Sequence, residues 1–390
     1  MKDISLYVHI PFCRRKCAYC DFFSVPCKQS ISDEYISALL FEINALKQLH
    51  EISSFRTAYI GGGTPSLLSA EQLSRLCESI MKKSEKKIEE FTIEMNPDDV
   101  TKEKLDAVRS SGVNRLSLGI QSLNDNALKA VSRRCSRETT LNALSLVKKE
   151  WSGRLSLDAI AGLPAQNREE FLKSLSEILD FGSEHISLYS LMIEDGTPLE
   201  RAISGGSLQY DEDETDEQWL LGREMLSERG YIQYEVSNFS KSGAMSLHNS
   251  VYWHLNDYLG AGSGAAGSIF GKNGIRWQNS ADIEKYTRFW LSQGKKNVED
   301  FPRETELLSE ETQETEFLMM GFRLLDGISE NEYKARFNKS LSERLGEKDG
   351  IFSKWLSRGD AKIRKDGGDR FFSLSKSGIL FLNTFLEAIL

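Results

Sequence analysis

The sequence runs to 390 residues, 40% hydrophobic and 27% charged, which suits two or three domains or one large domain with appendages. Its formal charge of −9 excludes a broad electrostatic grip on nucleic acid or an anionic membrane, leaving room only for a local basic patch. The opening MKDISLYVHIPFC lacks the apolar run of a signal peptide, and no later segment is long and apolar enough to span a bilayer, so a cytoplasmic protein with reduced cysteines is expected.

In chain order, β-rich runs at Ile4–Ile10, Thr57–Gly61, Phe91–Asn96, Arg115–Gln121, Leu155–Gly162 and His185–Ile193 alternate with helical patterns. The helical patterns cover Tyr35–Leu49, Glu71–Met81, Lys102–Ser110, Thr139–Lys149 and Glu169–Asp180. Ser32, Ser69 and Thr101 are candidate N-caps, each followed by acidic residues in the first turn. Strands alternating with helices pair in parallel through right-handed crossovers. Six such units fall short of a full (β/α)₈ barrel, so an α/β fold with an open or partial (β/α)₆ barrel is expected, and a doubly wound sheet is the alternative.

After residue 205 the texture changes. The acidic run Asp211–Glu217 reads as the solvated start of a helix reaching Arg229, followed by a strand at Tyr234–Phe239 and an aromatic, glycine-rich stretch from His248 to Gly274. Residues 206–305 are therefore expected to form a connecting region. Residues 306–390 read as an α+β module: a helix at Glu314–Leu325, another near Ile351–Leu356, a hairpin over Ala361–Leu374 turning on Asp366-Gly367-Gly368-Asp369, and a closing helix at Lys376–Leu390. Helices plus a hairpin suggest a winged-helix-like module. Its seven basic against four acidic residues between Asp349 and Lys376 make too weak a patch to predict nucleic-acid binding.

Six cysteines in a chain this large and this unevenly spaced do not form a disulfide framework. Three of them, Cys13, Cys17 and Cys20, lie on one short loop directly after the first strand. Thiolates select zinc or iron–sulfur over hard cations. Structural zinc takes four ligands, usually as two separated pairs, but Cys27, Cys77 and Cys135 stand singly, and His9 leaves a strand rather than the loop. A cubane cluster held by three cysteines keeps one iron open, which suits chemistry better than structure.

The spacing C-x₃-C-x₂-C resembles the signature of the radical S-adenosylmethionine (SAM) superfamily, in which this loop follows the first strand of a partial barrel. The resemblance implies an oxygen-sensitive [4Fe–4S] cluster on Cys13, Cys17 and Cys20. It further implies SAM chelated at the open iron, and one-electron cleavage to a 5′-deoxyadenosyl radical. Arg14, Arg15 and Lys16 either moderate the cluster's charge or are simply solvated.

Other polar residues fall at the C-terminal ends of the predicted strands, where a barrel builds its site. Gly61-Gly62-Gly63-Thr64-Pro65 ends the second, Glu94 lies near the end of the third, Gln121 ends the fourth, and Asp158 lies on the fifth before Gly162-Leu163-Pro164. Carboxylates on barrel strands need polar partners, which a ribose diol or the SAM ammonium would supply, and Arg133 could clamp the SAM carboxylate. The phrases LYVHIPFC, CAYCDF, YIGGGTPSLL, EMNP, RLSLGIQS, LDAIAGLP and ISLYSLMIEDGTP, continuing through YEVSNF, are similar to one branch of that superfamily. That branch comprises the oxygen-independent coproporphyrinogen oxidases and their haem-chaperone relatives. The resemblance places Tyr7, Tyr19, Gly63, Thr64, Glu94, Gln121, Arg133 and Asp158 in contact with SAM, with Met192 added through its backbone.

Within that branch two activities compete: oxidative decarboxylation of coproporphyrinogen III to protoporphyrinogen IX, and transfer of haem to an acceptor protein. The oxidases carry a further cysteine two positions beyond the third ligand, whereas Cys20 is followed here by Asp21 and Phe22. The chaperones carry HNxxYW, which His248-Asn249-Ser250-Val251-Tyr252-Trp253 matches. Imidazole can ligate haem iron while aromatic rings pack on the porphyrin, so His248, Asn249 and Trp253 are candidate haem contacts, with Cys27 and His254 behind them. One departure stands out: Ala266 replaces a histidine usual in the relatives' glycine-rich stretch. The resemblance thus favours a haem chaperone over an oxidase. Its expected partners are haem, a haem-accepting protein such as a membrane-associated respiratory protein, and an electron donor such as flavodoxin or ferredoxin. A second copy of the chain is a further candidate partner.

Overall fold

Six parallel strands carry a polar residue on one face and an apolar residue on the other, as the alternation in the sequence predicts. They are β1 (Lys2–Ile10), followed by the short pair β2 (Phe12–Cys13) and β3 (Val25–Pro26), then β4 (Ile52–Gly62), β5 (Glu90–Met95), β6 (Arg115–Gln121), β7 (Arg154–Ala161) and β8 (His185–Ser190). The computed structural model describes residues 2–27, 30–294 and 297–390. Between the strands run α1 (Asp33–Leu49), α2 (Ala70–Lys82), α3 (Lys102–Ser110), α4 (Asp125–Ala130), α5 (Arg137–Glu150) and α6 (Arg168–Leu179). Ser32, Ser69 and Thr101 cap α1, α2 and α3, and Ser69 with Gln72 forms a reciprocal capping box.

Leu6, Val8, Ala58, Ile60, Ile93, Leu116, Leu118, Leu157, Ile186 and Leu188 face the helices and form one continuous core with them. The other face of each strand turns inward. Its residues include Ser5, Tyr7, Thr57, Tyr59, Glu90, Glu94, Ser117, Asp158, Ser156 and His185, and they bond to one another across the strands. A polar interior enclosed by an apolar shell is the arrangement of a barrel that binds a ligand rather than one filled with packed side chains.

The stretch 206–305 extends this sheet at both edges. After α7 (Pro198–Ser204) and α8 (Glu212–Glu228), whose first turn is the acidic run capped by Asp211, β10 (Asn238–Ser240) adds antiparallel to β8 and β9 (Ile232–Gln233) antiparallel to β10. The single strand expected over Tyr234–Phe239 is thus two short strands with a turn between them. Helix α9 (Leu247–Trp253) leads to β11 (Tyr258–Ala261), which pairs parallel to β1. From there β12 (Ala266–Ile269), β13 (Gly274–Asn279), α10 (Ile283–Leu291) and β14 (Arg303–Leu308) follow, the strands pairing antiparallel. The twelve-stranded order is β14-β13-β12-β11-β1-β4-β5-β6-β7-β8-β10-β9.

A second core closes the chain. Helices α11 (Glu310–Gly321), α12 (Glu330–Phe337), α13 (Leu341–Arg344), α14 (Ile351–Ser357) and α15 (Leu382–Ile389) pack Phe317, Phe322, Phe352 and Phe385 against a small sheet. That sheet has the order β15 (Ile328–Ser329), β17 (Asp369–Leu374), β16 (Ala361–Asp366), the last two forming the expected hairpin. The closing helix is shorter than Lys376–Leu390, since a 3₁₀ turn occupies Gly378–Phe381 first.

Candidate functional site

The cysteine loop is pinned at three places. The Cys20 amide donates to the Cys17 carbonyl at 3.2 Å, the Ala18 amide to Val131 at 2.9 Å, and the Leu199 amide to the Ala18 carbonyl at 2.9 Å. Thr64 Oγ1 donates to Cys13 Sγ at 3.4 Å and Arg133 Nη1 to Cys17 Sγ at 3.5 Å. All three cysteines are free thiols. Three thiols on one loop, with no fourth ligand among the cysteines near it, are a donor set that fits a cluster keeping one iron open.

The glycine run at the end of β4 is shaped by close approach. Gly62 has φ +111°, and a Cβ there would lie 2.6 Å from the His9 ring. A Cβ on Gly63 would meet the Phe12 carbonyl oxygen at 2.7 Å, so any larger residue would push the cysteine loop away.

Next to this loop lie the acceptors. Glu94 takes hydrogen bonds from Tyr59 Oη at 2.7 Å and the Gly62 amide at 3.2 Å. Burial pushes its carboxyl up to about 7; the Tyr59 hydrogen bond works against this and neighbouring Asp158 adds to it. Asp158 is also raised by burial, despite a hydrogen bond from Ser187. Gln121, at φ +66°, presents a buried Oε1 with no hydrogen-bond partner. Two carboxyls raised by desolvation and an orphaned amide oxygen fit a ligand that brings donors, such as an ammonium and ribose hydroxyls. Arg133 is held in place by Asn96 Oδ1 at 2.9 Å and by the Gly119 carbonyl.

Tyr7 shares a 2.9 Å hydrogen bond with His9 Nδ1 and stacks on Tyr59, ring centroids 6.2 Å apart. Tyr19 sits against Cys17 and Arg133. The structure therefore brings together Cys13, Cys17, Tyr19, Thr64 and Arg133 at the loop, and Tyr7 and Glu94 beside Tyr59. Met192 is 70% exposed on the loop after β8 and projects into solvent.

Sequence reasoning passed over Asn96, Tyr59 and Arg115. Asn96 links Arg133 to Thr64, and Arg115 is buried in the interior within electrostatic reach of Glu94 and Asp158. Their signal was the inward parity of their strand positions, two or more residues from the ones selected.

The HNxxYW segment is α9, and it plugs the other end of the barrel. Glu90 accepts from Ser246 Oγ at 3.2 Å, the Leu247 amide at 3.1 Å and the His248 amide at 2.9 Å. His248 is 1% exposed, with Nδ1 on Thr57 Oγ1 at 2.8 Å, Nε2 on Tyr252 Oη at 2.9 Å, and its ring stacked on Tyr59. Burial drives its pKa down to about 3, so the ring is neutral. Axial ligation of haem by His248 is therefore not what this geometry offers: both nitrogens are spent inside the barrel. The Asn249 amide closes the helix cap on Ser246, and Trp253 stacks under Arg323 at 5.6 Å. Ala266 opens β12, opposite Gln278 of β13.

The chain is similar to known proteins over most of its length. Residues 7–178 match the radical SAM superfamily and residues 308–358 the HemN C-terminal domain. The heme chaperone HemW of Lactococcus lactis is 35% identical over 352 residues, 89% of each chain. That of Bacillus subtilis is 34% identical over 353 residues, again 89% of each. The mitochondrial radical S-adenosyl methionine domain-containing protein 1 of Danio rerio is 32% identical over 400 residues, covering 100% of this chain and 87% of that protein. In fold, the structure of coproporphyrinogen III oxidase (HemN) from Escherichia coli superposes with a TM-score of 0.79 over 99% of this chain and 89% of that one, at 20% identity. Match, identity and fold converge: the chain belongs to the radical SAM superfamily, in the branch that contains HemW and HemN.

Proposed function

We propose that the chain is a haem chaperone of radical SAM type, holding a [4Fe–4S] cluster and SAM and passing haem to an acceptor protein. The observation that carries this reading is the 35% identity to a heme chaperone sustained over 89% of both chains. The replacement of a fourth nearby cysteine by Asp21-Phe22 points the same way.

In this reading Cys13, Cys17 and Cys20 would hold the cluster, with Thr64 Oγ1 and Arg133 Nη1 donating to the Cys13 and Cys17 sulfurs. Glu94 takes the ligand's amino group, which returns to its carboxyl the hydrogen-bond donors that burial removed. Asp158 and Gln121 accept from the ribose hydroxyls, and Arg133 meets the carboxylate end. When bound, cluster and SAM supply one-electron cleavage of the sulfonium. Tyr7 and Tyr59 wall this space from below and keep it apart from the α9 plug.

Anaerobic reconstitution followed by haem titration tests the proposal. The protein is expected to take up an iron–sulfur cluster that Cys17→Ser abolishes, and to shift the Soret band at micromolar haem. Conversion of coproporphyrinogen III with SAM and a reductant would assign the chain to the oxidases instead.

A further inference from the structure

The cysteine loop carries three consecutive cations, Arg14, Arg15 and Lys16, and one acid, Asp21. Arg14 and Arg15 are exposed, Lys16 is half-buried, and among the described residues none of the three forms an ion pair. Lys16 lies within electrostatic reach of the Cys20 sulfur. Unpaired cations gathered on one loop run against the chain's formal charge of −9.

A narrow cleft in the surface lies beside the run. Four arginines line it, Arg14, Arg15, Arg133 and Arg134, against a single carboxylate, Asp98, and Cys17 forms part of its wall. Asp98 is already taken by Arg134 at 3.0 Å. Lys104 adds to the same potential: it stands within electrostatic reach of Arg14, with its Nζ on the Ser66 carbonyl at 2.6 Å. Its acidic neighbour Asp99 is buried and accepts from Ser66 Oγ at 3.2 Å. A net positive rim therefore surrounds the place where one of the three loop thiols, itself only half-buried, meets the surface.

Cleavage of a sulfonium by the cluster consumes one electron, which comes from outside the chain. One electron leaves the reduced centre of a carrier protein and enters the cluster; no bond forms or breaks and no proton moves in this chain. The transfer requires the two centres to approach closely, and the Cys17 cleft offers that approach. An acidic carrier meets an attractive local potential there and net repulsion from the chain as a whole, which orients the encounter.

We propose that the arginine rim, Arg14 and Arg15 with Arg134 beside them, is the docking surface for an acidic one-electron carrier protein that reduces the cluster at its Cys17 side. The proposal rests on the radical SAM reading, a [4Fe–4S] cluster on Cys13, Cys17 and Cys20, and is independent of haem.

The test is stopped-flow reduction of the cluster-loaded full chain by reduced flavodoxin, a small acidic flavin carrier, at low and at physiological ionic strength. In the wild type the second-order rate constant is expected to fall as salt rises, although both proteins are negative overall. Arg14→Glu/Arg15→Glu should lower that constant about tenfold at low salt and reverse the sign of its salt dependence. Lys362→Glu/Lys365→Glu, on exposed positions of β16, lowers the formal charge by the same amount and should keep the wild-type behaviour. Equilibrium binding of oxidised flavodoxin, read by calorimetry, should follow the same order without turnover. Iron content and photoreduction by a neutral deazaflavin should be equal in all three proteins, and loss of iron in the arginine variant alone would assign Arg14 and Arg15 to cluster stability instead. Wild-type rate and binding in that variant, or equal losses in both double variants, would overturn the docking surface and leave the cluster reading standing. A wild-type chain that takes up no cluster would overturn both.

Discussion

Tyr59 donates its hydroxyl proton to Glu94 Oε1 at 2.7 Å, and the same ring lies on the His248 imidazole with centroids 5.0 Å apart. One tyrosine therefore joins the buried carboxylate that accepts from the Gly62 amide to the helix that closes the opposite end of the barrel. Tyr59→Phe keeps the stacking and removes the hydrogen bond, raising the Glu94 carboxyl further. A buried hydrogen bond to a carboxylate contributes roughly 1–3 kcal/mol. SAM affinity of the reconstituted protein is expected to fall by about tenfold, a change of roughly 1.4 kcal/mol. An unchanged dissociation constant in equilibrium dialysis would separate Glu94 from ligand binding.

His248 should behave as a structural residue. His248→Ala removes one hydrogen bond each from Thr57, which keeps Ser5, and from Tyr252, and opens a cavity beneath Tyr59. The expected loss is about 2–5 kcal/mol from the combined cavity and unsatisfied polar groups, seen as a lower denaturation midpoint. Protein that still folds at low temperature should keep its haem affinity. Loss of haem binding without loss of stability would return His248 to the haem site.

Gly62 tests the close approach behind the glycine run. Gly62→Ala combines a left-handed backbone at φ +111° with a Cβ 2.6 Å from the His9 ring. Strain of this kind costs on the order of 1–3 kcal/mol. Iron retained per chain after desalting should drop, because His9 also holds the Phe23 carbonyl at the far end of the cysteine loop. Wild-type iron content and stability together would show that the turn relaxes freely.

Glu42 supplies a pH signature away from the site. It is wholly buried on α1, accepting from Tyr286 Oη at 2.6 Å, the Gly262 amide at 2.7 Å and Asn279 Nδ2 at 2.6 Å. Burial pushes it up to about 7 from an ordinary 4.5, outweighing those donors. The folded chain thus holds a proton that the unfolded chain has released between these values. Stability from this group is present below pH 4.5, declines as pH rises towards 7, and stays low above it. The amplitude is roughly 3 kcal/mol at 1.36 kcal/mol per unit. Glu42→Gln should flatten that part of the curve in urea titrations run across the window, and parallel curves would place the proton elsewhere.

The barrel was legible because its strands alternate and its helices begin at recognisable caps: Ser32, Ser69 and Thr101 all serve as written in the sequence. The cysteine loop was legible from spacing alone. The sheet's outer strands were not. β11 and β12 run through Gly260 and Gly267, which carry no side-chain periodicity; a Cβ on Gly260 would lie 1.7 Å from the Ala266 carbonyl. His248 was a candidate haem contact because it opens the HNxxYW pattern and imidazole can ligate iron. Only three dimensions show both its nitrogens occupied.

The pairing of β1 with β11 reaches beyond architecture into how the chain is made. Ser5 lies beside Tyr258 and Val8 beside Ala261, so the strand that carries the cysteine loop is flanked by β4 on one side and by a late segment on the other. During synthesis β1 emerges first and stands as a bare sheet edge until the ribosome has passed Ala261, a contact whose sequence separation makes it slow to form. Cluster assembly on a seated loop is therefore a late event in biogenesis. A truncation after residue 205 should yield an aggregating fragment rather than a minimal iron–sulfur domain.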